Sequence, residues 1–66
     1  MLLINDRDRL DWQPGMTVRD VLNAMGYTYA LITVTVDGEL VLDEDYDQHT
    51  VPDGAALTIF HLAHGG

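Results

Sequence analysis

The stretch LITVTVDGELVL, residues 31–42, constrains the fold more than any other part of the chain. Two runs of alternating apolar and β-branched residues flank Asp37-Gly38, a pair that accepts the positive φ angles of a two-residue hairpin turn. Such a turn pairs Val36 with Glu39 and Val34 with Val41. Alternation sends Ile32, Val34, Val36 and Val41 toward a core, with Thr33, Thr35 and Leu40 on the opposite face. A hairpin alone is marginal in water, so the rest of the chain must cover its apolar face.

Upstream, one segment has the periodicity to do so. Val18, Val21, Leu22 and Met25 fall at i, i+3, i+4 and i+7, a single apolar stripe on a helix spanning about residues 17–25. Thr17 is a good N-cap, and Asp20 three residues later makes a capping box. Gly26 stands where a left-handed residue closes a helix. Before the helix, MLLIN reads as a short strand, residues 6–8 as a turn and residues 9–12 as a return strand with Leu10 and Trp12 on one face. Pro14-Gly15 has the central residues of a type II turn. After the hairpin, DEDYDQ predicts a turn or short 3₁₀ piece with Tyr46 folded inward, and PDGA predicts another turn. ALTIFHLAH is the last strand, with Leu57 and Ile59 toward the core and Phe60 and Leu62 on the other face.

The pattern ββαββ with one helix predicts an α+β layer, a mixed sheet of four to five strands with the helix across one face. The last strand, among the most apolar, is expected at the centre beside the first. Its C-terminal end then projects past the sheet. Residues 1–64 are expected to form one domain, with Gly65-Gly66 as a flexible arm.

Composition limits the chemistry. With 66 residues the chain holds a single small core, and with no cysteine there is no disulfide, thiolate metal site or cysteine nucleophile. No apolar run reaches membrane-spanning length and no signal peptide opens the chain, which leads to the expectation of a soluble cytoplasmic protein. Eleven Asp and Glu against three Arg give a net charge of −8, which argues against nucleic acid and favours basic protein surfaces as partners. His61 and His64, three apart on a strand, fall on opposite faces and make a poor metal pair, so no metal site is expected. His49 reads as a plain loop residue.

Taken in order, IND near the start, PGMTVRDVLNAMG, VTVDGELV and YDQHTVPDGAALTIFHLAHGG resemble the ubiquitin-like β-grasp sulfur carriers, the ThiS/MoaD family. The resemblance is strongest to its thiamine-biosynthesis branch and spans almost the whole chain. It implies a β-grasp fold and a protein co-substrate rather than an enzyme. The working group would be the α-carboxylate of Gly66, adenylated by a ThiF-like partner and converted to a thiocarboxylate. A thiazole synthase of the ThiG type, or another acceptor enzyme, would then take the sulfur. The chain would bind no cofactor, ATP-Mg and a sulfur source being used by the activating partner.

The residues suit that chemistry. A carboxylate is a poor electrophile until activated, and the activated end must reach the bottom of a partner's pocket. Gly65 and Gly66 lack a Cβ and let the partner's backbone approach closely. Phe60, Leu62 and Leu40, with Leu3 on the same face, form a candidate docking patch rimmed by acids. His64 would lie beside the activated end. Several alternatives keep the same fold: the molybdopterin-synthase small subunit, a carrier for another sulfur pathway, a ubiquitin-like modifier, or a binding module with incidental glycines.

Overall fold

The computed structural model describes residues 1–27 and 31–61. Five strands, β1 (Leu2–Ile4), β2 (Asp8–Leu10), β3 (Ile32–Val36), β4 (Glu39–Val41) and β5 (Ala56–His61), form one sheet in the order β2-β1-β5-β3-β4. The helix α1 (Val18–Met25) crosses one face, and a 3₁₀ turn at Asp43–Asp45 follows β4. All neighbouring pairs are antiparallel except β1 and β5, which run parallel at the centre with Leu3 opposite Ala56 and Ile4 opposite Leu57. The sheet is mixed, and the last strand lies beside the first.

The hairpin has the register that its turn dictates. Asp37 and Gly38 adopt φ of 50° and 88°, and Val36 faces Glu39 while Val34 faces Val41. Asp37 also ties the turn to β5. Its N–H donates to the Ala56 carbonyl at 2.7 Å, and its carboxylate accepts the Ala56 N–H at 2.9 Å.

The first hairpin differs from the expected one. Asn5 and Asp6 both sit at positive φ, 56° and 58°, and the Arg7 N–H donates to the Ile4 carbonyl, so the turn comprises residues 5–7. Asn and Asp are the non-glycine residues that tolerate this region, which is why the chain reverses one residue earlier than the charge pattern suggests. The return strand is therefore residues 8–10, not 9–12. Its ladder stops at Leu10 opposite Leu2, and Trp12 turns away so that its indole N–H donates to the Val51 carbonyl at 2.8 Å. Leu10 and Trp12 still pack together against the core.

Asn5 has a further role. Its N–H donates to the Leu57 carbonyl, and its side-chain Oδ1 accepts the Ile59 N–H at 2.7 Å. One side chain thus continues the parallel ladder after the backbone has turned away. This satisfies a central-strand donor that would otherwise be orphaned inside the sheet.

The helix forms where its caps require. Thr17 Oγ1 accepts the Asp20 N–H at 3.3 Å and the Asp20 carboxylate accepts the Thr17 N–H at 3.0 Å, a complete capping box. The Val18 and Arg19 N–H groups donate to the carbonyls of His49 and Tyr46, so the first turn of the helix is closed by the loop after the 3₁₀ turn. At the other end Gly26 at φ 79° lets its own N–H reach the Asn23 carbonyl and the Tyr27 N–H reach Leu22, a Schellman closure. Val18, Val21 and Leu22 are buried in one core with Leu2, Ile4, Val34 and Leu57, and among the described residues no charged side chain is buried there. Each of these large apolar side chains contributes about 1.5 to 3 kcal/mol by leaving water. Tyr46 is folded inward and buried, as its place after the acidic run suggests.

Candidate functional site

The helix covers one face of the sheet, and among the described residues no element covers the other. Because pleating alternates, the open face carries the residues between the core positions: Thr33 and Thr35 on β3, Leu40 on β4, Thr58 and Phe60 on β5. The ladder sets their neighbours. Thr33 pairs with Phe60, and Leu40, Thr35 and Thr58 form one continuous row across three strands. Phe60 is 57% exposed and Leu40 62% exposed. Leu3, half-buried, shares this face but lies opposite Ala56, four residues along β5 from Phe60, a separation of about 13 Å.

Two further exposed leucines lie just beyond the ends of β3 and β4. Leu31 is 64% and Leu42 51% exposed, so three of the five strongly exposed large apolar side chains among the described residues flank the outer half of the sheet. Sequence reasoning passed over both, although Leu42 is two residues from Leu40 and Leu31 two from Thr33. The same alternation that places Leu40 would have placed them. Leu62, His64, Gly65 and Gly66 lie outside the described residues.

At the base of the C-terminal segment, the His61 ring meets the Tyr27 ring edge-on, with centroids 5.6 Å apart and planes at 67°. The Schellman turn delivers Tyr27 to that position. His49 contributes through its backbone, accepting from Val18. Among the described residues, no three His, Asp or Glu side chains converge where they could hold a metal ion.

Charge is distributed unevenly over the sheet. Asp37, Glu39, Asp43, Glu44, Asp45 and Asp47 place six of the eleven acids on the β4 side. Arg7 and Arg9 belong to the first hairpin, whose strand β2 is the opposite edge. Arg19 reaches this acidic side from the helix. Its Nε donates to Asp47 at 2.9 Å, and its guanidinium stands 5.5 Å from the centre of the Tyr46 ring. Burial raises the Tyr46 phenol above its ordinary pKa, Asp43 adds to the rise and Arg19 opposes it. A cationic partner would be drawn to this edge, while phosphate backbones would be repelled.

A mixed five-stranded sheet gripping one helix, with strand order β2-β1-β5-β3-β4, defines the class: a ubiquitin-like β-grasp protein. Comparison with known proteins narrows it. The ThiS family matches residues 3–66, and the chain belongs to that family. It is similar to the thiamine biosynthesis protein ThiS of Geobacter metallireducens in its crystal structure, with 30% identity and a TM-score of 0.79. That match covers 98% of this chain and 97% of the other. The NMR solution structure of a thiamine biosynthesis protein from the same organism gives 31% identity and a TM-score of 0.73, over 98% of this chain and 85% of that one. Membership of the family supports a role in carrying sulfur and, with it, contact with activating and sulfur-accepting enzymes. No helix among the described residues is long and apolar enough to cross a membrane.

Proposed function

We propose that the chain is a cytoplasmic protein co-substrate that carries sulfur on the carboxylate of Gly66 for assembly of the thiazole of thiamine. The observation that carries this reading is a family match running through residue 66, on a chain whose last strand presents an exposed Phe60. A ThiF-like enzyme uses ATP-Mg to convert the Gly66 carboxylate to an acyl adenylate. A sulfur nucleophile adds to the acyl carbon and expels AMP, leaving a thiocarboxylate that a ThiG-like enzyme accepts.

The chain's own contribution is presentation. Phe60, Leu62 and Leu40 hold the sheet against the partner, and residues 62–66 reach its pocket. Fully extended, five residues span at most about 17 Å beyond His61. Gly65 and Gly66 offer no side chain to obstruct the channel, and His64 lies next to the reacting end. The adenylating and sulfur-donating groups belong to the partners, so the chain is acted upon and does not catalyse.

Intact mass spectrometry tests this directly. The protein is incubated with its host's adenylating enzyme, ATP-Mg and a sulfide source, with a chain lacking Gly66 as control. A mass gain matching replacement of one oxygen by sulfur is expected in the intact chain only. Absence of that gain with an enzyme shown to be active would refute the proposal.

A further inference from the structure

A shallow hollow of about 320 Å³ opens at the β4 edge of the sheet. Its floor includes the buried Val41 and Tyr46, and its rim includes Leu31, Leu40, Leu42 and Asp43. Three of the five strongly exposed large apolar side chains among the described residues surround this one depression. Chance scatter would leave them apart, and scattered single leucines would need no explanation.

The polar part of the rim is acidic. Asp43 begins the 3₁₀ turn, Glu44 and Asp45 follow it, and all three are exposed. Among the described residues no ion pair within 4.0 Å involves any of the three: Arg19 pairs with Asp47, Arg7 with Asp8 and the N-terminus with Asp53. Three adjacent carboxylates repel one another, and a positive charge beside them relieves the repulsion. Apolar walls suit a methylene chain, and a carboxylate at the lip suits the charge at its end. Lysine and arginine have that construction, burying an aliphatic stem while the head stays polar.

We propose that this hollow seats an arginine or lysine side chain of the protein that docks on the open face, with its stem along Leu40 and Leu42 and its head against Asp43. The proposal rests on the reading of this face as a protein-docking surface, and it adds the chemistry of the recognised residue. The hollow thereby selects among partners. One with an amide at the matching position leaves Asp43 unpaired, so association weakens and depends less on salt, and one with an acid adds a repulsion that salt screens.

The test is a ¹⁵N-HSQC titration of the full chain with Nα-acetyl-leucyl-arginine amide, and with the citrulline analogue, which keeps the shape and removes the charge. Saturable shifts confined to residues 31–33, 40–43 and 46 are expected with the arginine peptide. Affinity should fall roughly fivefold with citrulline and by a similar factor in Asp43→Asn, the worth of one well-placed surface ion pair. Leu42→Ser, at an exposed position, should also weaken binding while leaving the remaining resonances in place.

Equal binding of both peptides overturns the proposal, as do shifts located elsewhere, no saturable binding, or an unaffected Asp43→Asn. The thiocarboxylate mass assay on the same sample separates the two ideas. A chain that gains sulfur but ignores the peptide refutes the hollow alone. One that binds the peptide but gains no sulfur refutes the carrier chemistry alone.

Discussion

Asn5 offers the sharpest test of how the sheet is held together. Its Oδ1 accepts the Ile59 N–H at 2.7 Å in a half-buried setting, while its own backbone sits at φ 56°. The two demands can be separated by substitution. Asn5→Gly keeps the left-handed backbone and removes the acceptor, leaving the Ile59 donor unsatisfied at a cost of about 1 to 3 kcal/mol. Asn5→Ala removes the acceptor and also forces a Cβ into the left-handed region, adding about 1 to 2 kcal/mol. Asn5→Asp keeps both an oxygen acceptor and tolerance of positive φ, and should stay near wild type. A domain of this size has about 3 to 5 kcal/mol of stability in total, so Asn5→Ala should be close to unfolded at rest. Urea denaturation followed through Trp12 gives the numbers. With a slope of about 1 kcal/mol per molar urea, Asn5→Gly should lower the midpoint by roughly 1 to 3 M with the slope unchanged. A wild-type midpoint for Asn5→Gly would refute the hydrogen-bond argument, and identical midpoints for Asn5→Gly and Asn5→Ala would refute the strain argument.

Three other outcomes are expected. Thr17→Ala removes the capping-box acceptor from the Asp20 N–H and should cost about 1 kcal/mol, measured by the same denaturation, with no effect on sulfur loading. Phe60→Ser, at a position 57% exposed, should change stability by less than about 0.5 kcal/mol yet sharply reduce thiocarboxylate formation at limiting enzyme. A large loss of stability there would show that Phe60 is structural. The Tyr46 phenol, raised above its ordinary value of 10.0 by burial and by Asp43, is neutral in both states below that pH. Above it the unfolded chain ionises first, so stability should fall as pH rises past about 10, and Tyr46→Phe should flatten that decline.

The elements that could be read from the chain are those specified by neighbours in sequence. Asp37-Gly38 sets its register within four residues, and the capping box and Gly26 delimit the helix within ten. The β1–β2 turn falls one residue earlier than the charge pattern predicts because the tolerance of Asn5 for positive φ decides it, and that position is held by Ile59, fifty-four residues away. A local pattern carries no trace of such a bond. For the candidate site, alternation placed Phe60 and Leu40 on the open face. Leu31 and Leu42 keep the same spacing but lie just beyond β3 and β4, outside the run of alternation that marks the strands. The hollow they border also needs Tyr46 beneath it, and only the packing of the 3₁₀ turn against α1 brings that ring there.

The parallel pairing of β1 with β5 also decides when this protein can fold during its synthesis. Ile4 waits for Leu57, and until that residue is available the centre of the sheet has no strand in it. The helix and the β3–β4 hairpin rest on contacts close in sequence, but neither has a closed core to join before β5 arrives, and contacts as distant in sequence as β1 and β5 carry a loop-closure entropy cost. Closure of the sheet is thus deferred until β5 has been made. A chain interrupted anywhere ahead of Ile59 would lack its central strand and remain open to proteolysis, so every folded copy is one in which translation has passed that point.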